Sequence, residues 1–405
     1  MALCETNTDV DSPATRPPSL PEGVPPLGAY YLYLSSSCNL RCRHCWITPG
    51  FTADGRPDPG NVVDLNALRE AVREGKTLGL CHAKLTGGEP MLHPRFLEIV
   101  DMLTEENIGM DMETNGTLLT AEAARHLREK TKLAFISLSL DGRDAETHDA
   151  FRRVPGAFDA VLRGLGYLVN AGYKNCQVIM SVHHGNRDQI EDVVKLAASR
   201  GAASVKLNPV TMTGRGALMH EQGEGLGFDD YLALARWVSG DLRPKAPIPV
   251  ILEMPPGMVS FRELWRTHGR AGDCGVLGVL GILGTGEIAL CGIGQTHPEF
   301  VYGRLGENRI RDIWLSNPII LALRRELEAA DSYPGICGEC IFAKRCRTSC
   351  VADNYIHSGR LVSPNWLCAE AARRGAFPSG RAQRKHKNHG TKGPSDAIER
   401  GQEIS

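Results

Sequence analysis

Three cysteines near the start of the chain have a spacing that suits iron–sulfur chemistry. Cys38, Cys42 and Cys45 are separated by three and then by two residues. Three thiolates on one short loop can bind three irons of a cubane cluster and leave the fourth iron open. A structural zinc site requires four ligands, and His44 would have to complete a tetrahedron with its immediate neighbours in sequence, which is rare. The spacing therefore favours an iron–sulfur centre with one open position.

A second set of seven cysteines lies in the last third of the chain. Given one cysteine, the four spacings that follow it in the longer group occur by chance at a frequency on the order of 10⁻⁶. A pair of zinc knuckles is the alternative interpretation of this set. Of the other cysteines, Cys4 lies in a Pro-rich leader, and Cys81 and Cys176 are predicted to be small core residues. The seven are Cys274 and Cys291, then Cys337-x2-Cys340-x5-Cys346-x3-Cys350-x17-Cys368.

The composition excludes several classes of protein. The 405 residues include 46 Lys and Arg against 47 Asp and Glu, which argues against a globally basic nucleic-acid binder. No apolar run of about 18 residues exists, so no membrane span is expected. The N-terminus lacks the basic-then-apolar order of a signal peptide. An odd count of 13 cysteines without an export signal favours metal binding or catalysis in a reducing, cytoplasmic compartment over a disulfide framework.

Strand-like and helix-like segments alternate between a Pro-rich leader (1–27) and a basic tail (377–405), both expected to be flexible. Six βα units predict an α/β fold, a partial (β/α)6 TIM-like barrel over residues 28–245 with chemistry at the C-terminal strand ends. The alternation then stops, and residues 246–376 are predicted to form a cysteine-rich domain whose core needs metal to fold. The predicted strands are Tyr30–Leu34, His82–Leu85, Met110–Thr114, Ala134–Leu140, Gln177–Val182 and Ser204–Leu207, and the predicted helices lie near 64–78, 94–106, 120–130, 157–171, 188–200 and 228–238.

The cysteine loop and four further motifs resemble the radical S-adenosylmethionine (SAM) enzymes. The hallmark of that family is this cysteine spacing on the loop after strand one, and Trp46 after the third cysteine also fits. The resemblance implies that a [4Fe–4S] cluster on the loop binds SAM and cleaves it to a 5′-deoxyadenosyl radical. The further motifs follow in the expected order: Thr86-Gly87-Gly88-Glu89-Pro90, Glu113-Thr114-Asn115-Gly116, Ser139-Leu140-Asp141-Gly142 and His148 through Gly156.

The same resemblance implies roles for individual residues in SAM binding. Taken one at a time, each polar cluster is equally consistent with helix capping or turn chemistry. Four of them in register behind the cysteine loop make that interpretation improbable. Arg153 is the neighbouring alternative to Arg152. The implied contacts are Gly87, Gly88 and Glu89 for the methionine amino group, Thr114, Asn115 and Ser139 for the ribose and methionine parts, and Arg152 for the carboxylate.

The C-terminal cysteines resemble the SPASM extension of radical SAM enzymes, which houses auxiliary iron–sulfur clusters. Two stretches, 303–308 and 313–317, resemble the segment between its cysteine groups. The inner cluster is then one cysteine short, and its fourth ligand could be His268, Asp273 or a substrate bound at an open iron. The resemblance implies two auxiliary [4Fe–4S] clusters, held by the outer cysteines (Cys337, Cys340, Cys346 and Cys368) and by the inner cysteines (Cys274, Cys291 and Cys350).

SPASM enzymes mostly modify peptides or proteins, so the resemblance implies a maturase of a ribosomally made precursor peptide. The modified peptide would carry a crosslink or an epimerised residue, or would have lost a fragment of its backbone. The stretch 31–49 looks most like maturases of Nif11-type leader peptides, among them spliceases that excise a tyramine unit. Sulfatase maturases carry an aspartate base directly after the cysteine of a Gly-x4-Cys motif, where this chain has Gly292. Tetrapyrrole modification, as in haem pathways, and a non-enzymatic zinc-binding scaffold are two further hypotheses, and no catalytic residue is predicted.

The implied partners are a precursor peptide with its leader and an electron donor of the flavodoxin or ferredoxin type. The 27 Pro-rich residues before the barrel are too few for a leader-binding module. Leader recognition is therefore expected from a separate protein or from the SPASM surface. No membrane or nucleic-acid partner is expected.

Overall fold

The protein, seen in a computed structural model that describes residues 20–53, 55–58, 60–266 and 274–382, is built around one sheet. The strands are β1 (Ala29–Tyr33), β2 (His82–Thr86), β3 (Gly109–Thr114), β4 (Leu133–Ser139), β5 (Cys176–Val182), β6 (Ser204–Pro209), β7 (Val250–Leu252), β8 (Val279–Ile282), β9 (Glu287–Ala289) and β10 (Val301–Arg304). Their order is β10-β9-β8-β1-β2-β3-β4-β5-β6-β7. All neighbours from β8 to β7 are parallel, whereas β9 and β10 are antiparallel additions.

Helices connect and cover the strands. None of the helices in the described ranges combines the length and the apolar character needed to cross a membrane. The helices are α1 (Leu65–Lys76), α2 (Phe96–Glu105), α3 (Ala121–Lys130), α4 (Ala145–Arg152), α5 (Ala157–Asn170), α6 (Ile190–Ser199), α7 (Arg215–Glu221), α8 (Phe228–Trp237), α9 (Phe261–Arg266), α10 (Ile310–Ser316), α11 (Pro318–Glu328), α12 (Ala343–Cys346), α13 (Val351–Ser358) and α14 (Trp366–Arg373).

The parallel sheet with covering helices confirms the predicted α/β class. The six predicted strands match β1 to β6 to within two residues at each end. In α1, the Asp64 carboxylate caps the helix by accepting from Ala67 N, and Leu65, Leu68 and Val72 form the buried stripe. Helices α4 and α7 were not predicted, because eight and seven residues are too short to show an apolar period.

Alternate residues of the barrel strands face two different sides of the sheet. Tyr30 and Leu32 are fully buried on the helix side, where Tyr30 Oη donates to Ala71 O of α1 (2.9 Å). Tyr31 and Tyr33 therefore point to the opposite, concave side. We call the space on the concave side the lumen.

The sheet continues beyond residue 245, where the first domain was expected to end. Strand β7 pairs with β6, and β8 from the cysteine-rich region pairs in parallel with β1, so that Ala29 is level with Val279. The two predicted domains are therefore joined by main-chain hydrogen bonds within one sheet.

The packed chain extends into both segments that were expected to be flexible. Leu20 and Leu27 are buried in the main core, and Leu27 N donates to Leu78 O (2.9 Å). At the other end, the Arg381 side chain is buried, and its Nη2 donates to Val259 O (2.7 Å). Isolated apolar and arginine side chains anchor these stretches, and an average composition does not reveal them. Residues 1–19 and 383–405, which include Cys4, lie outside the described residues.

Replacing Trp314 by alanine is expected to destabilise the protein by about 3–5 kcal/mol, because it empties a packed site. Trp314 is 1% exposed, donates from Nε1 to Pro25 O (3.0 Å) and has the Arg324 guanidinium 4.2 Å from its ring centroid. Denaturant unfolding measures the change. Trp265→Ala is the control, since Trp265 is 87% exposed. Equal losses in the two variants would contradict this account of the core.

Candidate active site

The cysteine loop (38–45) follows β1 at the carboxyl edge of the parallel sheet, the edge predicted to carry the chemistry. Helix α4 supports it through the main chain, because Arg41 N donates to Arg152 O (3.1 Å) and Arg43 N donates to Phe151 O (3.0 Å). The end of α4 is therefore the base on which the loop rests.

The turn after β6 holds the far end of the cysteine loop. Arg215 N donates to Cys45 O (3.0 Å). Gly214 has φ of +55°, and a Cβ there would lie 2.6 Å from Trp46 Cα. A glycine is thus required for the turn to pack directly on Cys45 and Trp46.

The two glycines after β2 allow close contact with the segment that leads into the cysteine loop. Gly88 N donates to Ser35 O (2.9 Å), and Glu89 N donates to Ser37 O (2.8 Å). A Cβ on Gly88 would lie 2.0 Å from Ser37 O, and one on Gly87 would lie 2.6 Å from Ser35 O. Gly87 and Gly88 therefore lie directly against the backbone that leads into the cysteine loop. The absence of their side chains serves this contact as well as any contact with a ligand.

The Glu89 carboxylate ties the ends of β2 and β3 to the cysteine loop. It is fully buried, and it accepts from Thr114 Oγ1 (2.7 Å) and Asn115 N (2.8 Å). Burial raises the pKa of the Glu89 carboxyl despite these hydrogen bonds. Asn115 Nδ2 donates in turn to Asn39 Oδ1 (2.8 Å). Three residues that the resemblance assigns to SAM contacts thus form one network under the loop.

Hydrogen-bond donors surround the sulfurs of the loop. Cys38 Sγ accepts from Leu40 N (3.4 Å) and Asn115 Nδ2 (3.9 Å), and Cys42 Sγ accepts from Arg152 Nη1 (3.4 Å). The three loop cysteines are free thiols. Burial raises the pKa of the Cys38 thiol to about 12, so that a metal must displace its proton on binding. Donors aimed at the sulfurs fit an iron–sulfur cluster, whose potential they tune.

Arg152 lies beneath the cysteine loop. Its side chain is buried, and its Nε forms an ion pair with the fully buried Asp141. Burial raises the pKa of Asp141, but the charges of Arg152, His148 and His44 and the hydrogen bond from Arg152 together hold the pKa below the usual range. Asp141 Oδ1 also accepts from Ser181 N (2.8 Å). Sequence reasoning gave no separate role to Asp141, although a charged residue directly after an apolar strand was a usable signal.

His44, the histidine that a zinc site would have needed, packs inside the barrel. Its ring stacks on Phe151 (4.6 Å between centroids), which stacks in turn on His183 (4.6 Å). Its Nε2 lies 3.2 Å from Ser181 Oγ. Burial lowers the pKa of His44 to about 3, so the ring is neutral near pH 7.

The other two residues considered for SAM contacts are at the same edge. Ser139 is half-buried as the last residue of β4. Arg153 ends α4 in the left-handed conformation (φ +57°) and is exposed.

The inner cysteines line a cavity of about 610 Å³ between the lumen and the cysteine-rich region. The Cys350 thiol hydrogen-bonds the sulfur of Cys274, and the charge of Cys291 acts on Cys274. Tyr31 of β1 contributes to the wall from the barrel side, and Trp366 from the opposite side. His268 and Asp273, the suggested fourth ligands, lie outside the described residues.

The outer cysteines form a second group. The charges of Cys337, Cys340 and Cys346 all add to the effect of burial in raising the pKa of Cys368. Among the described residues, no three histidine, cysteine, aspartate or glutamate side chains stand close enough together to hold a single metal ion. Each cysteine of a cubane binds its own iron, so its ligands stand further apart than those of one zinc ion.

Comparison with known proteins identifies the N-terminal part of the chain. Residues 32–197, which include the cysteine loop, match the model of the Radical SAM superfamily. Residues 32–197 therefore form a radical SAM domain, as the motifs predicted.

Relatives and a solved structure extend the likeness over most of the chain. The AdoMet-dependent heme synthase of Nitratidesulfovibrio vulgaris is 28% identical over 376 residues, or 89% of this chain and 97% of that protein. The mycofactocin maturase MftC of Mycobacterium tuberculosis is 26% identical over 345 residues, or 83% of this chain and 81% of that protein. Streptococcus suis SuiB bound to precursor peptide SuiA has the same fold, with a TM-score of 0.64 and 17% identity over 85% of this chain and 76% of SuiB.

Asp141→Asn is expected to cost about 3–5 kcal/mol of stability, because it leaves the buried Arg152 guanidinium without a counter-charge. Denaturant unfolding measures the loss, and bound iron is expected to fall with it since Arg152 also contacts Cys42. Asp192→Asn is the control. Asp192 pairs with Arg143 at the surface (3.1 Å), where such a pair contributes about 0–1 kcal/mol. If Asp141→Asn is as stable as Asp192→Asn, the ion pair between Asp141 and Arg152 does not support the loop.

Proposed function

We propose that this radical SAM enzyme modifies a ribosomally made precursor peptide by 5′-deoxyadenosyl-radical hydrogen abstraction. The observation that carries the proposal is the cavity that joins the lumen to the inner cysteines. Its volume of about 610 Å³ suits one or two residues of a peptide, not a whole peptide, in line with a local modification. Similarity to the mycofactocin maturase over 83% of the chain supports the same class.

In this proposal Cys38, Cys42 and Cys45 hold the SAM-binding [4Fe–4S] cluster, which supplies the electron that cleaves SAM. Arg152 places a fixed positive charge beside Cys42, which favours the thiolate form that a metal needs. The backbone of Gly87, Gly88 and Glu89 and the side chains at the strand ends, namely Thr114, Asn115, Ser139 and Arg152, are the proposed SAM contacts.

The inner and outer cysteines are proposed to hold two auxiliary [4Fe–4S] clusters. The inner cysteines face the cavity, so that a substrate in the cavity would lie against the inner centre. A peptide with its leader, an electron donor of the flavodoxin or ferredoxin type, and either a separate leader-binding protein or the surface of the cysteine-rich region complete the proposed set of partners.

The surroundings of Gly292 argue against the chemistry of sulfatase maturases. A Cβ at this position would lie 1.9 Å from Tyr33 Oη and 2.6 Å from the Trp46 ring. An aspartate base after Cys291 would therefore displace Trp46, which adjoins the cysteine loop. Peptide chemistry that does not use this base is favoured.

Tetrapyrrole modification is the second candidate. It is favoured by the similarity to the heme synthase of Nitratidesulfovibrio vulgaris, which covers 97% of that protein.

Co-expression with short candidate precursor peptides is expected to change the mass of one peptide. The purified, anaerobically reconstituted enzyme, given SAM and dithionite, is expected to form 5′-deoxyadenosine and to leave porphyrin substrates unchanged. Conversion of a porphyrin with no change in any peptide would transfer the assignment to the second candidate.

Replacing Cys38, Cys42 and Cys45 together by alanine is expected to remove about four irons per chain and to abolish 5′-deoxyadenosine formation. Cys176→Ala is the matched control, because Cys176 is a fully buried free thiol in β5. Iron analysis and product chromatography provide the two measurements. Unchanged iron in the triple variant would place the SAM-cleaving cluster elsewhere.

A further inference from the structure

A lysine and a glutamate form an ion pair on the lumen side of the barrel. Lys84 Nζ in β2 lies 2.5 Å from Glu113 Oε1 in β3. Their neighbours Ala83, Leu85 and Met112 are fully buried on the helix side. Because side chains alternate along a strand, Lys84 and Glu113 face the lumen. The Glu113 side chain is 41% exposed there, so it is accessible to a substrate.

This pair lies beside the aromatic residues that separate the cysteine loop from the inner cysteines. Lys84 Nζ is 5.4 Å from the ring centroid of Tyr31, which lines the cavity together with Cys274 and Cys291. The charge of Glu113 acts on the phenols of both Tyr31 and Tyr33. Tyr33 packs edge-on against Trp46, with 5.9 Å between ring centroids. Glu113 is thus near Tyr31, which lines the cavity with the inner cysteines, and near Tyr33, which packs on the residue after Cys45.

The surroundings of Lys84 favour its charged form. Burial lowers the pKa of Lys84, but Glu113, Tyr31 and Asp111 together outweigh burial and raise the pKa above its usual value. Asp111, one step further down β3, is within 3.2 Å of His82 Nε2 and is largely buried. Glu113 is therefore the more exposed of the two β3 carboxylates.

We propose that Glu113 is a catalytic proton acceptor, held in place by Lys84, for the peptide modification. The inference rests on the proposed function. It is motivated by the absence of a carboxylate after Cys291, where Gly292 has no room for one, and by the presence of an accessible carboxylate across the lumen. A base positioned within reach of the proton it removes contributes about 10²–10⁴-fold to a rate.

The proposed step conserves atoms and electrons. Hydrogen abstraction leaves a neutral radical on the peptide. An X–H bond next to the radical carbon then breaks, its proton passes to the Glu113 carboxylate, and a radical anion remains. The inner cysteines would hold the iron–sulfur cluster that, in its oxidised form, takes up the remaining electron, so that a closed-shell product with one new bond would result.

The test uses the reconstituted holoenzyme and the precursor peptide whose mass changes in the co-expression assay. For Glu113→Gln, modified peptide per 5′-deoxyadenosine is expected to fall at least 100-fold. SAM binding and 5′-deoxyadenosine formation are expected to stay within twofold of wild type, because hydrogen abstraction precedes proton loss. Glu113→Asp, which keeps a carboxylate, is expected to recover part of the product.

Two controls separate chemistry from folding. The double variant Lys84→Met/Glu113→Gln removes both charges of the pair at once and is expected to lose the product as well. Glu98→Gln removes an exposed carboxylate that pairs with Arg95 and is expected to change neither yield.

A wild-type ratio of product to 5′-deoxyadenosine in Glu113→Gln would overturn the inference. So would an equal loss of SAM binding, 5′-deoxyadenosine and product, which would make the pair structural. If the wild-type enzyme forms 5′-deoxyadenosine and changes no peptide, the proposed function itself fails, and this inference falls with it.

Discussion

The buried ion pair between Asp141 and Arg152 is the interaction on which the cysteine loop depends. Burying two charges is costly, and the cost is offset only while both partners are present and hydrogen-bonded. Arg152 meets this condition through Asp141, contacts Cys42 with the same guanidinium, and accepts from Arg41 with its backbone oxygen. Arg152 therefore supports the loop in three ways: through its ion pair with Asp141, through its contact with the Cys42 sulfur, and through a main-chain hydrogen bond. The protein's own contacts consequently position the loop.

Glycines allow neighbouring segments to pack directly around the cysteine loop, because they have no side chain. Gly88 lies against Ser37, Gly214 against Trp46 and Gly292 against Tyr33, in each case closer than a Cβ allows. Main chain therefore encloses the loop from β2, from the turn after β6 and from the cysteine-rich region. The same contacts link the two sets of cysteines, since Gly292 follows Cys291 and Trp46 follows Cys45.

Much of the fold was predictable, because strand composition and cysteine spacing are local properties of a sequence, whereas the cluster sites stay predictions. Strands β1 to β6 and the radical SAM domain were predicted on that basis. The short helix α4 and the packing of Leu20 and Leu27 depend on long-range contacts, and no local period marks them. Arg152 was predicted to contact SAM, and this stays a prediction; its burial beneath the loop depends on Asp141, which only the three-dimensional arrangement brings to it. The Lys84–Glu113 pair was likewise missed, although two charged residues in otherwise apolar strands indicate a polar lumen.

The pairing of β8 with β1 has a consequence for biosynthesis. Strand β1 emerges from the ribosome early, whereas Val279, the partner of Ala29, is translated 250 residues later. Contacts between such distant segments form slowly, and until then one edge of β1 is exposed. The cysteine loop that β1 carries is therefore fully enclosed only after most of the chain has been made. The cluster proposed for this loop would accordingly gain its full enclosure only in the completed chain.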